Sequence, residues 1–119
     1  FDFPYIARRM LLNGFKLPTI LDNAGKKPWD IRHLDTMELW KFGDYKHYTS
    51  LDLLTTIFNI PSPKNDMDGS MVASVYYEAE DMERIVQYCQ NDVIALAQLL
   101  LRYKGMDLID VSHIEIAED

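Results

Sequence analysis

The chain has 119 residues, of which 48% are hydrophobic, enough for one domain with one buried core. Its formal charge of −7 argues against a protein that coats nucleic acid generally. No apolar run is long enough to span a membrane, so we expect a soluble protein. Residues 1–64 hold nine Lys or Arg against seven Asp or Glu, whereas residues 65–119 hold three against twelve. The first part therefore tolerates a polyanion, and the second is suited to binding cations.

The first predicted element is a helix over about residues 4–13, preceded by Asp2. Its apolar residues fall on one face, and Pro4 and Gly14 are typical of a helix start and a helix end. Asp2 then lies at or near the N-cap, where a carboxylate accepts free backbone N–H groups and meets the positive end of the helix dipole. Capping is the simplest interpretation of Asp2.

Two short elements are predicted next. Alternation of apolar and polar residues over residues 29–33 indicates a strand. His33 is expected to face a neighbour in that strand, because no second His or Cys stands at ligand spacing. A short helix is expected over residues 36–42, closed by Gly43.

Residues 44–48 form a polar and aromatic loop, a composition that suits stacking on bases and is equally common in surface loops. A capping box at residues 49–52 begins the next helix, which ends before Pro61. Residues 64–70 look like a calcium-binding loop, but the acidic residues required at its first and twelfth positions are absent. A turn in which Ser70 or Asp68 caps a short helix over residues 71–77 fits better.

A long helix is predicted over residues 80–103, ended by Gly105. Tyr88 and Asp92, four residues apart, share one face of it. They lie at the edge of an apolar stripe predicted to pack on the rest of the domain, formed by Ile85, Cys89, Val93, Leu96 and Leu100. Because an unpaired carboxylate is costly to desolvate, Asp92 needs a tertiary hydrogen bond, solvent, or a metal ion shared with other carboxylates. Residues 106–119 are a tail of unassigned structure.

Phe1-Asp2 and Tyr88-x-x-x-Asp92, taken together, resemble the second and third sequence motifs of the DEDDy 3′→5′ exonucleases. The branch that they resemble is related to the proofreading domain of family-B DNA polymerases. Further segments share this resemblance, at residues 29–42, 50–64, 66–70 and 88–93. The resemblance implies an α/β, RNase H-like exonuclease fold, N-terminally truncated and mostly helical in the part present. Residues 1–105 would be the C-terminal part of the exonuclease domain.

The family's upstream Asp-x-Glu pair has no counterpart in the chain, which opens at Phe1 without an initiator Met or a secretory signal. We therefore expect a fragment that starts inside the second motif and is inactive alone. The single cysteine, Cys89, cannot form an intrachain disulfide, which predicts a cytoplasmic location.

The resemblance also implies the chemistry. Two divalent cations, Mg²⁺ or Mn²⁺, would be held by carboxylates and would promote phosphodiester hydrolysis at the 3′ end of a nucleic acid, with DNA favoured. Asp92 would bind the cation that activates water, Asp2 would hold the second, and Tyr88 would orient or help to deprotonate the attacking water. Two alternatives stay open. One is a non-catalytic RNase H-like module that binds nucleic acid or protein, and the other is a helical interaction domain.

Overall fold

The computed structural model describes residues 2–61 and 67–117. These residues form α-helices joined by turns and short 3₁₀ helices, with no strand among them. Of the expected α/β class, the described residues thus show the helices but not the strands. The chain divides into two compact units, Phe1–Asp35 and Thr36–Asp119. No helix in the described ranges is both long enough and apolar enough to cross a membrane.

The first unit contains helix α1, Asp2–Leu12, which confirms the predicted first helix. Gly14 ends it with a φ of 75°, a left-handed conformation that glycine adopts without steric cost. The chain then turns back, and the Phe15 N–H donates to the Met10 carbonyl at 2.9 Å. None of the described residues of this unit is buried.

The strand predicted over residues 29–33 is wrong. Pro28–Asp30 form a 3₁₀ helix instead, because the fixed φ of proline favours the first position of a helical turn. The expectation that His33 faces a neighbour is met: its Nε2 lies 2.8 Å from the Ile20 carbonyl oxygen. Its ring stacks on Phe3 with centroids 3.8 Å apart.

The second unit is organised around one long helix, α5, Met82–Tyr103. Three short helices pack against it. They are α2, Thr36–Lys41, α3, Leu51–Ile57, and α4, Val72–Tyr77. The apolar core joins α3 to α5, with Leu54 and Leu99 fully buried. Three aromatic rings surround this core in edge and stacked arrangements, those of Trp40, Phe58 and Tyr103.

Local capping explains where the helices of the second unit begin. The Ser50 hydroxyl accepts the Leu53 N–H at 3.2 Å, so α3 starts at Leu51. Asp52 therefore occupies the second helical position, one earlier than the capping box predicted. The Asp81 carboxylate accepts the Arg84 N–H at 3.1 Å and starts α5.

The chain around the predicted turn at residues 64–70 is described from residue 67 onward. Asp68 accepts the Ser70 N–H at 2.8 Å and starts a 3₁₀ helix, Gly69–Met71, that leads into α4. The predicted short helix is present as α4, but Asp68 caps the 3₁₀ helix before it and not α4 itself. Residues 64–66 lie outside the described residues.

The tail after α5 is neither a strand nor a long helix in the described residues, which form a 3₁₀ helix at Val111–His113. Gln98, buried on α5, holds the tail through the backbone of Ile109. The Gln98 amide donates to the Ile109 carbonyl and accepts the Ile109 N–H, both at 2.8 Å. One side chain thus satisfies both backbone groups of a tail residue.

Candidate active site

Tyr88 and Asp92 lie on the side of α5 that packs against the other helices of the second unit. The buried residues that follow them, Ala95 and Leu99, continue the same face at spacings of three and four. The apolar stripe predicted from the sequence lies elsewhere on the helix, and the structure corrects it: Val93 is 66% exposed, and Cys89 is also exposed. The pair therefore belongs to the packed face itself and not to its edge.

A hydrogen bond joins the two side chains, with the Tyr88 hydroxyl as donor and the Asp92 carboxylate as acceptor. Burial raises the pKa of Tyr88, and the negative charges of Asp92 and Asp68 raise it further. Burial also raises the pKa of Asp92; the hydrogen bond from Tyr88 opposes this change, and the charge of Asp52 adds to it. The partner that Asp92 required is thus, within the described residues, the phenol one turn earlier.

Two further acidic residues act on the pair from other elements. Asp52, in the first turn of α3, raises the pKa of Asp92 through its charge. Asp68 acts in the same way on Tyr88, and an added Cβ at the neighbouring Gly69 would lie 3.7 Å from the Tyr88 hydroxyl oxygen. The second unit therefore brings the start of α3 and the 68–69 turn close to the Tyr88–Asp92 pair.

Sequence reasoning treated Asp52 and Asp68 only as capping residues. Asp68 does cap a 3₁₀ helix, since its carboxylate accepts the Ser70 N–H. Both acidic residues are separated from the pair by 20 residues or more of chain, so no local spacing could place them near it. The available signal was the negative charge of each residue at a helix start, because a helix start orients a carboxylate.

Asp2 is the first residue of α1 and is exposed. Its carboxylate stands in the first turn, where the helix dipole favours negative charge. Asp2 belongs to the first compact unit, whereas Tyr88 and Asp92 belong to the second. The three predicted site residues are thus divided between the two units, with Tyr88 and Asp92 hydrogen-bonded to each other in the second.

The donor chemistry fits a hard divalent cation in kind but falls short in number. Carboxylate and phenol oxygens are ligand types that Mg²⁺ and Mn²⁺ accept. Among residues 2–61 and 67–117, however, no group of three or more His, Cys, Asp or Glu side chains is arranged to hold a metal ion.

Residues 1–112 match a protein family described as predicted 3′-5′ exonucleases related to the exonuclease domain of PolB. Since the match covers nearly the whole chain, the protein belongs to this family of exonuclease-related domains. This membership indicates a nuclease-type enzyme that acts on nucleic acid in general. No solved structure matches the chain.

Proposed function

We propose that this protein is part of a metal-dependent 3′→5′ exonuclease that hydrolyses phosphodiester bonds at the 3′ ends of nucleic acids, with DNA as the substrate and an RNase H-like fold. The observation that carries this proposal is the hydrogen-bonded Tyr88–Asp92 pair on the packed face of α5, within a chain of exonuclease-related family. The exposed thiol of Cys89 and the lack of a second cysteine support a cytoplasmic location.

Asp92, and through the family resemblance Asp2, would hold divalent cations, which supply charge neutralisation at the phosphate and activation of water. The remaining ligands would come from the Asp-x-Glu pair that the resemblance implies. The Tyr88 hydroxyl donates a hydrogen bond to the Asp92 carboxylate, which helps to orient that carboxylate and leaves the lone pairs of the phenol oxygen able to accept a hydrogen bond from water. The hydrogen bond to Asp92 supports an orienting role for Tyr88 at this site.

The test is nucleotide release from a 3′-labelled DNA strand by the protein that contains this chain, assayed with Mg²⁺ or Mn²⁺. We expect Asp92→Asn to lower the rate by at least about 100-fold, as for the loss of one charge-stabilising group. Tyr88→Phe keeps the ring and should lower the rate by about 10- to 100-fold, as for the loss of an orienting partner. Asp110→Asn, an exposed carboxylate after α5, is the matched control and should leave the rate unchanged. Full activity of the Asp92 variant would refute the proposal, and preference for an RNA strand would refute the choice of DNA.

A second candidate is a non-catalytic RNase H-like module that binds nucleic acid or protein. The observation that favours it is the incomplete ligand set among the described residues. A calorimetric Mn²⁺ titration of the larger protein separates the two functions, because an exonuclease should show a Mn²⁺ site that weakens when Asp92 becomes Asn. A binding module should show no such dependence. The 119-residue chain alone is expected to release nucleotides at least about 100-fold more slowly than the larger protein.

A further inference from the structure

The loop between α2 and α3 exposes three aromatic rings. We name residues 42–48 the aromatic loop. Phe42 is 90% exposed, Tyr45 is 76% exposed and Tyr48 is 83% exposed. Large aromatic side chains usually supply much of a domain's buried area, so three solvated rings in seven residues indicate a surface that binds something.

Backbone strain at Phe42 adds to this observation. Its φ of 46° lies in the left-handed region, which is unfavourable for a bulky residue, and Gly43 follows with a φ of 83°. The Asp44 N–H donates to the Lys41 carbonyl at 2.8 Å and closes a turn with two successive positive φ values. Glycine would be easier to accommodate at position 42 than phenylalanine. A strained residue that presents an exposed ring supports a binding role for that ring.

The aromatic loop is held at its base and in its middle. The Trp40 indole N–H donates to the Thr49 hydroxyl at 3.2 Å and joins the two ends of the loop. Within the loop, Asp44 accepts the Lys46 N–H at 3.1 Å, and its other carboxylate oxygen lies 3.0 Å from Nδ1 of His47. The rings therefore stand on an ordered turn, which lowers the entropy cost of stacking a ligand on them.

Two lysines lie among these exposed rings. Lys41 lies 5.4 Å from the ring centroid of Tyr45 while it pairs with Glu38 at 2.7 Å. Lys46 lies within the aromatic loop, whose single acidic residue, Asp44, is already bonded to neighbouring groups. The chain as a whole carries −7, so two lysines among exposed rings stand out from their surroundings.

We propose that the aromatic loop is a stacking surface for the bases of a single-stranded nucleic acid, with Lys41 and Lys46 next to its phosphates. The loop combines exposed rings with neighbouring lysines and contains no aliphatic residue. This composition suits stacking on bases and neutralising phosphates better than it suits an apolar protein interface. The loop leads directly into α3, whose first turn places the charge of Asp52 near Asp92. This inference rests on the proposed function in taking the strand bound here to be the nuclease substrate.

The experiment measures fluorescence anisotropy of a labelled oligothymidylate of about ten nucleotides with the 119-residue chain, in chelator so that no hydrolysis occurs. We expect Tyr45→Ala and Tyr48→Ala each to weaken binding about fivefold or more, as for the loss of one stacked base. Phe42→Gly should weaken binding by a similar factor while raising the Tm, because glycine removes the ring and relieves the strain. Tyr77→Ala, an exposed ring on α4 of similar accessibility, is the matched control and should have no effect.

An abasic strand of equal length distinguishes stacking from charge attraction. It should bind more weakly than the oligothymidylate, and the three ring variants should bind it as the native chain does. Equal losses on both strands, or an equal loss with Tyr77→Ala, would overturn the proposal. A native chain that binds no strand would also overturn it. If that chain self-associates and the ring variants do not, the loop belongs to a protein contact instead. The binding assay needs no cleavage, so a negative binding result refutes the stacking proposal without bearing on the nuclease assay of Asp92→Asn. Conversely, a chain that binds normally but releases no nucleotide would refute only the proposed function.

Discussion

Asp92 is a carboxylate on the packed face of α5, and burial raises its pKa above the ordinary value of 3.8. The groups that act on it are Tyr88 on its own helix and Asp52 on α3. A raised pKa means that the folded chain holds this proton more tightly than the unfolded chain does. Asp92 therefore adds stability while protonated, and that stability is lost as the pH rises through the pKa of the folded state.

We predict that Asp92→Asn makes the metal-free chain more stable at neutral pH by up to about 1 kcal/mol, since Asp92 stays partly solvated. The advantage should vanish as the pH falls below about 4, where the native carboxyl is also neutral. Urea unfolding at a series of pH values in chelator measures both effects. Asp110→Asn is the control of opposite sign: bonds from Ser112 lower the pKa of Asp110, so this change should cost stability at neutral pH and nothing at low pH. An Asp92 variant that is less stable at neutral pH would contradict the assignment of burial as the dominant influence.

At the scale of single elements, local chemistry was readable from the sequence, whereas contacts between elements were not. Gly105 was identified correctly as a helix end, and the start of α3 was predicted to within one residue, because caps depend on neighbouring residues. The packed face of α5 was placed wrongly, since the helix is apolar on more than one side and periodicity cannot choose which side the short helices cover. The nearness of Asp52 to Asp92 depends on that same choice.

The attachment of the tail to α5 gives a prediction about Gln98. Gln98→Ala leaves the N–H and the carbonyl of Ile109 without their partner, and we expect a loss of about 2 kcal/mol in the free energy of unfolding, from two hydrogen bonds at about 1 kcal/mol each. Gln98→Glu keeps an acceptor but buries a carboxylate that faces the Ile109 carbonyl, so at neutral pH it should cost at least as much stability as the alanine variant. Gln87→Ala, exposed on the same helix, is the control and should change stability by less than about 0.5 kcal/mol. Equal urea midpoints for Gln98→Ala and Gln87→Ala would show that the tail is not held in this way.

At the scale of the whole molecule, stability depends on a small core in the second unit. Leu54 and Leu99 are the two fully buried large side chains among the described residues. Small domains have a free energy of unfolding of only about 5–15 kcal/mol, so a single core substitution can remove a large part of it. Many large apolar side chains are instead exposed, including Val93 on α5.

This contrast within one helix tests the packing directly. Leu99→Ala should lower the free energy of unfolding by about 3–5 kcal/mol, because it removes buried methyl groups and leaves a cavity between α3 and α5. Val93→Ala, on the stripe that the sequence pattern alone would bury, should change it by less than about 0.5 kcal/mol, because the valine is already solvated and alanine is the better helix former. Denaturant titrations followed by circular dichroism measure both values. If the Val93 variant lost as much stability as the Leu99 variant, the apolar stripe would be packed in solution. The Tyr88–Asp92 pair would then lie at the edge of that contact rather than on the face built by α3 and α4.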